Sequence, residues 1–357
     1  MKILSLPGDD IGPEITAGAL LSVDSANSLF NLGLEIVTRE VGMASHRNSG
    51  TTMPESVVQE ALAADGVIMG PAGITNYPSI ADGGINVPAT IRKRLDLFAN
   101  VRPFKARHGI PDARPGLDLV FVRENTEGFY SDRTMFAGCG EFMPTPDVAL
   151  SVRKITAQGS RRVAEYAFQL AAKRRRKVTA IGKEHVLKLT DGLFMGEARK
   201  IAAQCPDIEF GEMDVDAFAA SIYSRPAQFD VIVITNMFGD ILSNLGAAMA
   251  GGLGLAGALN VGKDHAAANA GHGSAPDIAG KDCANPSGLI ASCAMLLEWL
   301  GERSQRSELV AAGKSVQRAL DDILTGAPAS RTGDLGGAAG TRAFSQAVAA
   351  RVSTAGL

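Results

Sequence analysis

Short apolar runs alternating with longer amphipathic stretches constrain this chain more than any other feature. Lys2 to Leu6 reads as a strand, Pro7-Gly8-Asp9-Asp10 as a turn, and Pro13-Glu14 as the first turn of a helix continuing to about Phe30. Leu34 to Arg39 reads as a second strand, Pro54 to Ala64 as a helix and Gly66 to Met69 as a third strand. Leu117 to Arg123 and Val178 to Ile181 are further strands, a helix over Ala157 to Lys173 precedes the latter, and Phe229 to Ile234 is the clearest buried strand. This alternation predicts an α/β fold with a parallel or mixed sheet covered on both faces. Phe238 to Leu259 is dense in Gly and Ala, which suits close helix packing, and Asn260 to Ala284 reads as a polar, Gly-rich loop. Pro286 to Leu300 is a helix with an apolar stripe, and the tail from Ser304 reads as two helices around a Gly-rich turn at Gly333 to Gly340.

A length of 357 residues suits two domains, or one large α/β unit with an insertion. The 35 Lys and Arg nearly balance 38 Asp and Glu, which argues against a nucleic-acid partner. No apolar stretch of about 18 residues runs free of Gly, Pro or charge, so no membrane partner is expected. The N-terminus lacks the long apolar run of a secretory signal, so a cytoplasmic location is expected. Cys139, Cys205, Cys283 and Cys293 form no Cys-x-x-Cys pair and read as scattered reduced thiols. The basic run Lys173 to Lys177 sits at a helix end, where cations complement the helix dipole, and reads as a solvated terminus.

Gly252-Leu253-Gly254-Leu255-Ala256-Gly257 fits Gly-x-Gly-x-x-Gly but follows an Ala-rich helix rather than a strand, so it reads as a glycine turn and not a Rossmann fingerprint. His272-Gly273-Ser274-Ala275-Pro276-Asp277, followed by Asn285-Pro286, is the better nucleotide-loop candidate. His272 can stack or hydrogen-bond, Asp277 can accept two ribose hydroxyls, and Asn285 can read an adenine edge. Arg92, Arg102 and Arg123 carry the side chain suited to gripping carboxylates in bidentate fashion. Tyr130 and Lys183 lie just beyond two strands, where sites form in α/β sheets. Asp240 and Asn244 are four apart on one helix face; with Asp216 they offer two acids and an amide oxygen, donors suited to Mg2+ or Mn2+. Asp240 also reads as a helix N-cap.

Taken together, these residues resemble the β-decarboxylating dehydrogenases, the isocitrate, 3-isopropylmalate, homoisocitrate and tartrate dehydrogenase family. The resemblance rests on Leu6 to Glu14, Asp96 to Pro103, Arg123 to Tyr130, Asn236 to Asn244 and His272 to Pro286, and spans essentially the whole chain. It implies a two-domain, isopropylmalate-dehydrogenase-like α/β fold, distinct from the Rossmann fold, with the active site in the interdomain cleft. Residues 1–98 plus 250–357 would form the larger domain with the nucleotide loop, and 99–249 the smaller domain with most of a homodimer interface. The reaction implied is NAD-dependent oxidative decarboxylation of a 3-substituted malate with Mg2+ or Mn2+, in active sites shared between subunits.

Carried over by position, Arg92, Arg102 and Arg123 would bind the malate carboxylates. Tyr130 would be the general acid, and Lys183, its pKa depressed by the metal and arginines, would take the hydroxyl proton. Asp216 and Asp240 would ligate the metal, with Asn244 beside them. His272, Gly273, Ser274, Ala275, Asp277 and Asn285 would contact the nucleotide, with Gly70 to Gly73 on its other side. Asp277 would repel a 2′-phosphate, which favours NAD. The sequence departs from the family pattern twice: Asn244 stands where a second helix aspartate is usual, and Asn269 where a glutamate precedes the loop histidine. Asn86 could hydrogen-bond a short substrate carboxylate, whereas Ile85, Val87, Pro88 and Ala89 could cradle an alkyl group, leaving isocitrate and isopropylmalate both open. Tartrate- or malate-type oxidation, a homoisocitrate dehydrogenase and a non-catalytic regulatory subunit are the alternatives.

Overall fold

The computed structural model describes residues 1–130, 135 and 140–354; Cys139 lies outside them. The chain opens with β1 (Lys2–Leu6), α1 (Gly12–Leu29), β2 (Glu35–Thr38), α2 (Gly42–Ser49), α3 (Glu55–Ala63), β3 (Gly66–Met69) and α4 (Val87–Arg94). Its middle holds β4 (Ala99–Lys105), β5 (Asp118–Glu124), β6 (Glu141–Thr145), β7 (Val148–Ser151), α5 (Ala157–Ala172) and β8 (Lys177–Gly182). There follow α6 (Thr190–Ala202), β9 (Glu209–Asp214), α7 (Val215–Ser224), β10 (Val231–Ile234) and α8 (Asn236–Ala250). The chain closes with β11 (Gly257–Val261), β12 (Ala266–Ala270), α9 (Ser287–Ser304), α10 (Ser307–Thr325) and α11 (Thr341–Thr354). Two compact units result, one of Met1–Leu95, Arg107–Ala113 and Ala250–Leu357, the other of Asp96–Ala106 and Arg114–Met249.

In the first unit the strand order is β2-β1-β3-β12-β11, with β1, β2, β3 and β12 parallel and β11 antiparallel to β12. Ile3, Leu4, Leu6, Ile68 and Met69 are fully buried, as the continuous apolar runs require. In α10, Leu309, Ala312, Val316, Leu320 and Leu324 recur at helical spacing and are all buried. The loop expected over Asn260 to Ala284 is wrong in its first third, because Ala266–Ala270 is the strand β12. Alanine has little strand preference of its own, but here small side chains let α9 lie close on the sheet. Ser292 of α9 accepts a bond from the Ala258 amide at 2.8 Å and donates to the Asn269 carbonyl at 2.8 Å.

In the second unit the order is β4-β5-β10-β8-β9, with β4 antiparallel to β5 and the other four strands parallel. One face is covered by α5 and α6, whose Val163, Ala167, Phe168, Phe194 and Ala198 pack on Val122, Val178, Ala180, Val231 and Val233. Phe121 alternates with Val122 and so faces the other way, where Phe104, Phe218 and Phe229 extend it as an edge-to-face chain with centroids 5.0–5.9 Å apart. The basic run is more than a solvated terminus. Arg174 pairs with Asp118 and with fully buried Asp230, both at 2.7 Å, and Arg175 donates to the Asp118 and Phe229 carbonyls, tying down the amino ends of β5 and β10. β6 and β7 form a separate exposed hairpin that the sequence pattern does not announce, since Pro144 and Pro146 interrupt it.

Candidate active site

Because β5, β8, β9 and β10 run parallel, the residues that follow them leave from one edge of the sheet, where α/β sheets place their ligands. Arg123, Lys183, Asp216 and Asp240 all lie at or just beyond that edge. Arg123 is in register with Ile234 of β10 and, across antiparallel β4, with Asn100. Arg102 is two residues further along β4.

The structure gathers Arg102, Arg123, Tyr130 and Asp240 into one cluster. Arg123 Nη1 donates to Asp240 Oδ1 at 2.5 Å, Arg102 Nη2 lies 3.6 Å from the same oxygen, and the Tyr130 hydroxyl donates to Asp240 Oδ2 at 3.1 Å. The Arg123 guanidinium also sits 5.8 Å from the Tyr130 ring centroid. Both arginines are buried and held from behind. Arg102 donates to Asn100 Oδ1 at 2.6 Å and to Ser243 Oγ at 2.8 Å; Arg123 donates to the Asn236 carbonyl at 2.8 Å and to its amide oxygen at 2.6 Å. Burial, reinforced by Arg123, pushes the Arg102 guanidinium down to about 9, while Asp240 and Tyr130 oppose the shift. Two buried guanidinium groups beside one carboxylate place bidentate donors where an anionic substrate could be gripped. Asp240 is the fifth residue of α8, in its second turn, so its carboxylate is not a helix cap.

Lys183 belongs to a second cluster. Its ammonium pairs with Asp216, and with Asp214 at 3.3 Å, while His185 Nδ1 lies 3.1 Å from the same Asp214 oxygen. The Asp216 and Asp214 carboxylates hold the lysine above its usual range, and Lys183 in turn lowers Asp216. The depressed lysine expected from the sequence presupposes a metal and arginines beside it; within one chain the charged neighbours of Lys183 among the described residues are carboxylates instead. Among the described residues, no group of three or more His, Cys, Asp or Glu side chains could hold a metal ion. One chain instead offers oxygen donors in two sets: Asp240, with its side chain 35% exposed, and Asp214 and Asp216, at 40% and 70%. Such hard oxygen donors fit Mg2+ or Mn2+. Asn244 lies one turn beyond Asp240 and is exposed.

Arg92 and Asn86 belong to the first unit, on α4 and at its start. The Asn86 amide oxygen accepts from the Ala89 amide at 2.9 Å, so it caps α4 and is less free to meet a substrate than the sequence suggested. The candidate nucleotide residues also lie in this unit, at the carboxyl ends of parallel β1, β3 and β12. There the Ile11 amide donates to the Ser274 carbonyl at 3.1 Å, and the Gly73 amide donates to Asp9 Oδ2 at 3.0 Å. Ser274 is buried, whereas Gly273 and Asp277 are exposed and Ala275 adopts a left-handed φ of 44°. Burial holds the His272 imidazole below its usual range, with the Gly273 carbonyl and Asp334 acting against it.

Asn285 is buried with both ends of its amide engaged: it donates to Asp334 at 2.9 Å and accepts from the Ser287 amide at 3.0 Å. Its side chain therefore has less freedom to read a base edge than expected. Gly254, from the rejected glycine motif, lies against this pair; a Cβ there would stand 2.7 Å from Asn285 Cβ and 2.8 Å from Asp334 Oδ2. Asn269 accepts from Asn260 at 2.7 Å and donates to the Ala270 carbonyl at 2.7 Å, so it serves the sheet. Asn100, Asn236, Ser243, Asp214 and Asp334 contact the candidate residues and were not singled out from the sequence. Only Asn100, alternating with Arg102 on one strand face, carried a signal that could have found it.

A model of the isocitrate/isopropylmalate dehydrogenase family matches residues 2–348. The isocitrate/homoisocitrate dehydrogenase of Thermus thermophilus is 40% identical over 348 residues, covering 97% of each chain. The 3-isopropylmalate dehydrogenase of Methanothermobacter thermautotrophicus is 38% identical over 350 residues, covering 98% of each. The crystal structure of isocitrate dehydrogenase from Methylococcus capsulatus superposes with a TM-score of 0.87 at 37% identity, covering 99% of both chains. The chain belongs to the isocitrate/isopropylmalate dehydrogenase family, whose members are dehydrogenases that decarboxylate hydroxy acids.

Proposed function

We propose that this protein is an NAD-dependent, divalent-cation-dependent dehydrogenase that oxidises and decarboxylates a 3-substituted malate of the isocitrate or isopropylmalate class. The observation that carries the reading is the convergence of Arg102, Arg123 and the Tyr130 hydroxyl on Asp240 at the sheet edge. Arg102 and Arg123, with Arg92, would bind the substrate carboxylates. The Tyr130 hydroxyl would deliver a proton to the carbon that loses CO2, and Lys183 would accept the proton of the substrate hydroxyl. Asp240 and Asp216 would hold Mg2+ or Mn2+, with Asn244 close by. The cation, when bound, would acidify the hydroxyl and neutralise charge developing on its oxygen. His272, Gly273, Ser274, Ala275, Asp277 and Asn285 would form the NAD site of the larger domain, 1–98 plus 250–357, and exposed Asp277 supports NAD over NADP. An intact Tyr130, Lys183, Asp216 and Asp240 weighs against a regulatory subunit.

The protein would act as a cytoplasmic homodimer in which Lys183 and Asp216 of each chain complete the partner's site, formed through the domain 99–249. Three features support this. Lys183 finds only half of the required chemistry in its own cluster, and Val186, Leu189 and Ile241, near the two clusters in sequence, are 60–87% exposed. The β6–β7 hairpin also exposes Phe142, Met143, Val148 and Leu150, a surface that an isolated hairpin cannot bury. No helix among the described residues is long and apolar enough to cross a membrane.

The test is NADH formation by the purified chain with Mn2+, across isocitrate, 3-isopropylmalate, homoisocitrate, tartrate and malate. Turnover of isocitrate or isopropylmalate with release of CO2 is expected. Oxidation of tartrate or malate alone would move the protein to that branch, and no turnover of any acid would overturn the reading.

A further inference from the structure

Arg153 is a cation that the proposed chemistry leaves unused, and its side chain is only 8% exposed. It precedes α5 in the second unit and contacts residues beside Tyr130, on the segment that follows Lys183, and on the helix that carries Asp240. Its Nη1 lies 2.6 Å from Oδ1 of Asp191, a residue wholly removed from solvent, and donates to Thr190 Oγ1 at 2.8 Å. Its Nη2 donates to Thr235 Oγ1 at 3.1 Å. Its guanidinium carbon stands 5.3 Å from the ring centroid of Phe238 and 5.9 Å from that of Phe129. The second oxygen of Asp191 accepts the Lys183 backbone amide at 2.7 Å. Phe129 immediately precedes Tyr130, Thr235 joins β10 to the helix bearing Asp240, and Asp191 fixes the residue that carries the catalytic ammonium.

We infer that Arg153, through Asp191, is a positioning residue that sets where Tyr130, Lys183 and the Asp240 helix stand relative to one another. Stability alone does not call for such a pair. A buried ion pair is commonly replaceable by apolar side chains without loss of stability, because desolvation offsets its attraction. What an apolar side chain cannot do is donate to two hydroxyls at fixed angles while its charge faces an acid and two aromatic rings, and the planar guanidinium fork does that where an ammonium cannot. The inference rests on the proposal that Tyr130 and Lys183 carry the chemistry, so its test needs a readout that does not depend on turnover.

Arg153→Lys keeps the charge opposite Asp191 and loses the fork; Arg153→Met combined with Asp191→Asn removes the charges while leaving an acceptor for the Lys183 amide. Each variant is compared with the parent by thermal melting, by kcat and KM, and by mass-spectrometric rates of Tyr130 nitration and Lys183 acylation, with exposed Tyr223 as the internal control. For Arg153→Lys we expect a melting temperature near the parent's, kcat lower by about tenfold or more at nearly constant KM, and labelling rates at Tyr130 and Lys183 altered by about threefold or more while Tyr223 is unchanged. A purely structural role would shift melting and leave kcat and both labelling rates alone. That result in Arg153→Lys, or in the double variant if the single one does not fold, overturns the inference. If the parent oxidises none of the acids, the functional reading fails, and the labelling rates still decide the role of Arg153.

Discussion

Asp240 shows how much one side chain can organise. A single carboxylate takes the charge of Arg123, approaches Arg102 and accepts the Tyr130 hydroxyl, so three groups from three segments are oriented by one acceptor. Replacing Tyr130 by Phe removes the proposed proton donor and leaves the ring. It is expected to lower kcat by about 100-fold or more with nucleotide affinity unchanged, measured by steady-state kinetics beside a binding titration. Gly239, which precedes Asp240, is required sterically: a Cβ would stand 2.7 Å from Arg123 Cγ and 2.9 Å from Ile234 Cγ2. Gly239→Ala should therefore displace Arg123 and raise KM for the hydroxy acid, read from the same kinetics; an unchanged KM would show that the arginine can yield without consequence.

Cys293 gives a pH prediction of a different kind. Burial pushes its thiol up to about 12, from an ordinary value of about 8.5, so at pH 9 the folded protein keeps it protonated. Exposed Cys283 should be alkylated at that pH while Cys293 is spared. Because the unfolded chain ionises this thiol first, its contribution to stability is intact below about pH 8.5 and is lost progressively as pH rises toward 12.

Among the elements, α5 shows how its start is built. Thr156 is its N-cap, accepting from the Gly159 amide at 3.0 Å, and its hydroxyl donates to buried Glu127 at 2.5 Å. Glu124 in turn accepts the Thr126 and Glu127 amides at 2.7 and 2.8 Å, and burial raises its pKa. The acids of the Arg123 to Gly128 string thus shape the backbone leading to Tyr130. Thr156→Ala should cost about 1–2 kcal/mol in denaturant unfolding. Helices and buried strands with strong patterning were legible in advance: α1, α3, β3 and α5 fall within two residues of the sequence reading. β12 was not, because its alanines read as neither strand nor core until α9 is laid over them. The β6–β7 hairpin was not, because prolines and full exposure erase the alternation that marks a strand.

For the whole molecule, the proposed sharing of active sites in a homodimer is open to a direct experiment. Tyr130→Phe and Lys183→Met are each expected to be nearly inactive as pure proteins. When the two are unfolded and refolded together, half of the dimers are mixed and each holds one intact site, so activity should recover to about a quarter of the parent's. If each lysine served its own chain, no activity would return.

The sequence by itself determined the α/β class and the family, because strand and helix periods are local and the long motifs are contiguous. It also supplied the chemical identities around which a site could form, among them Arg102, Arg123, Tyr130 and Asp240. Only the tertiary structure decided which candidate side chains are spent on holding the fold. Asn86, Asn269 and Asn285 have the right chemistry for ligands, yet each is engaged within the fold by a partner in its own unit. The polarity of the lysine's surroundings and the hub at Arg153 were likewise settled by folding, since both depend on residues dozens of positions apart that meet only where parallel strands end together.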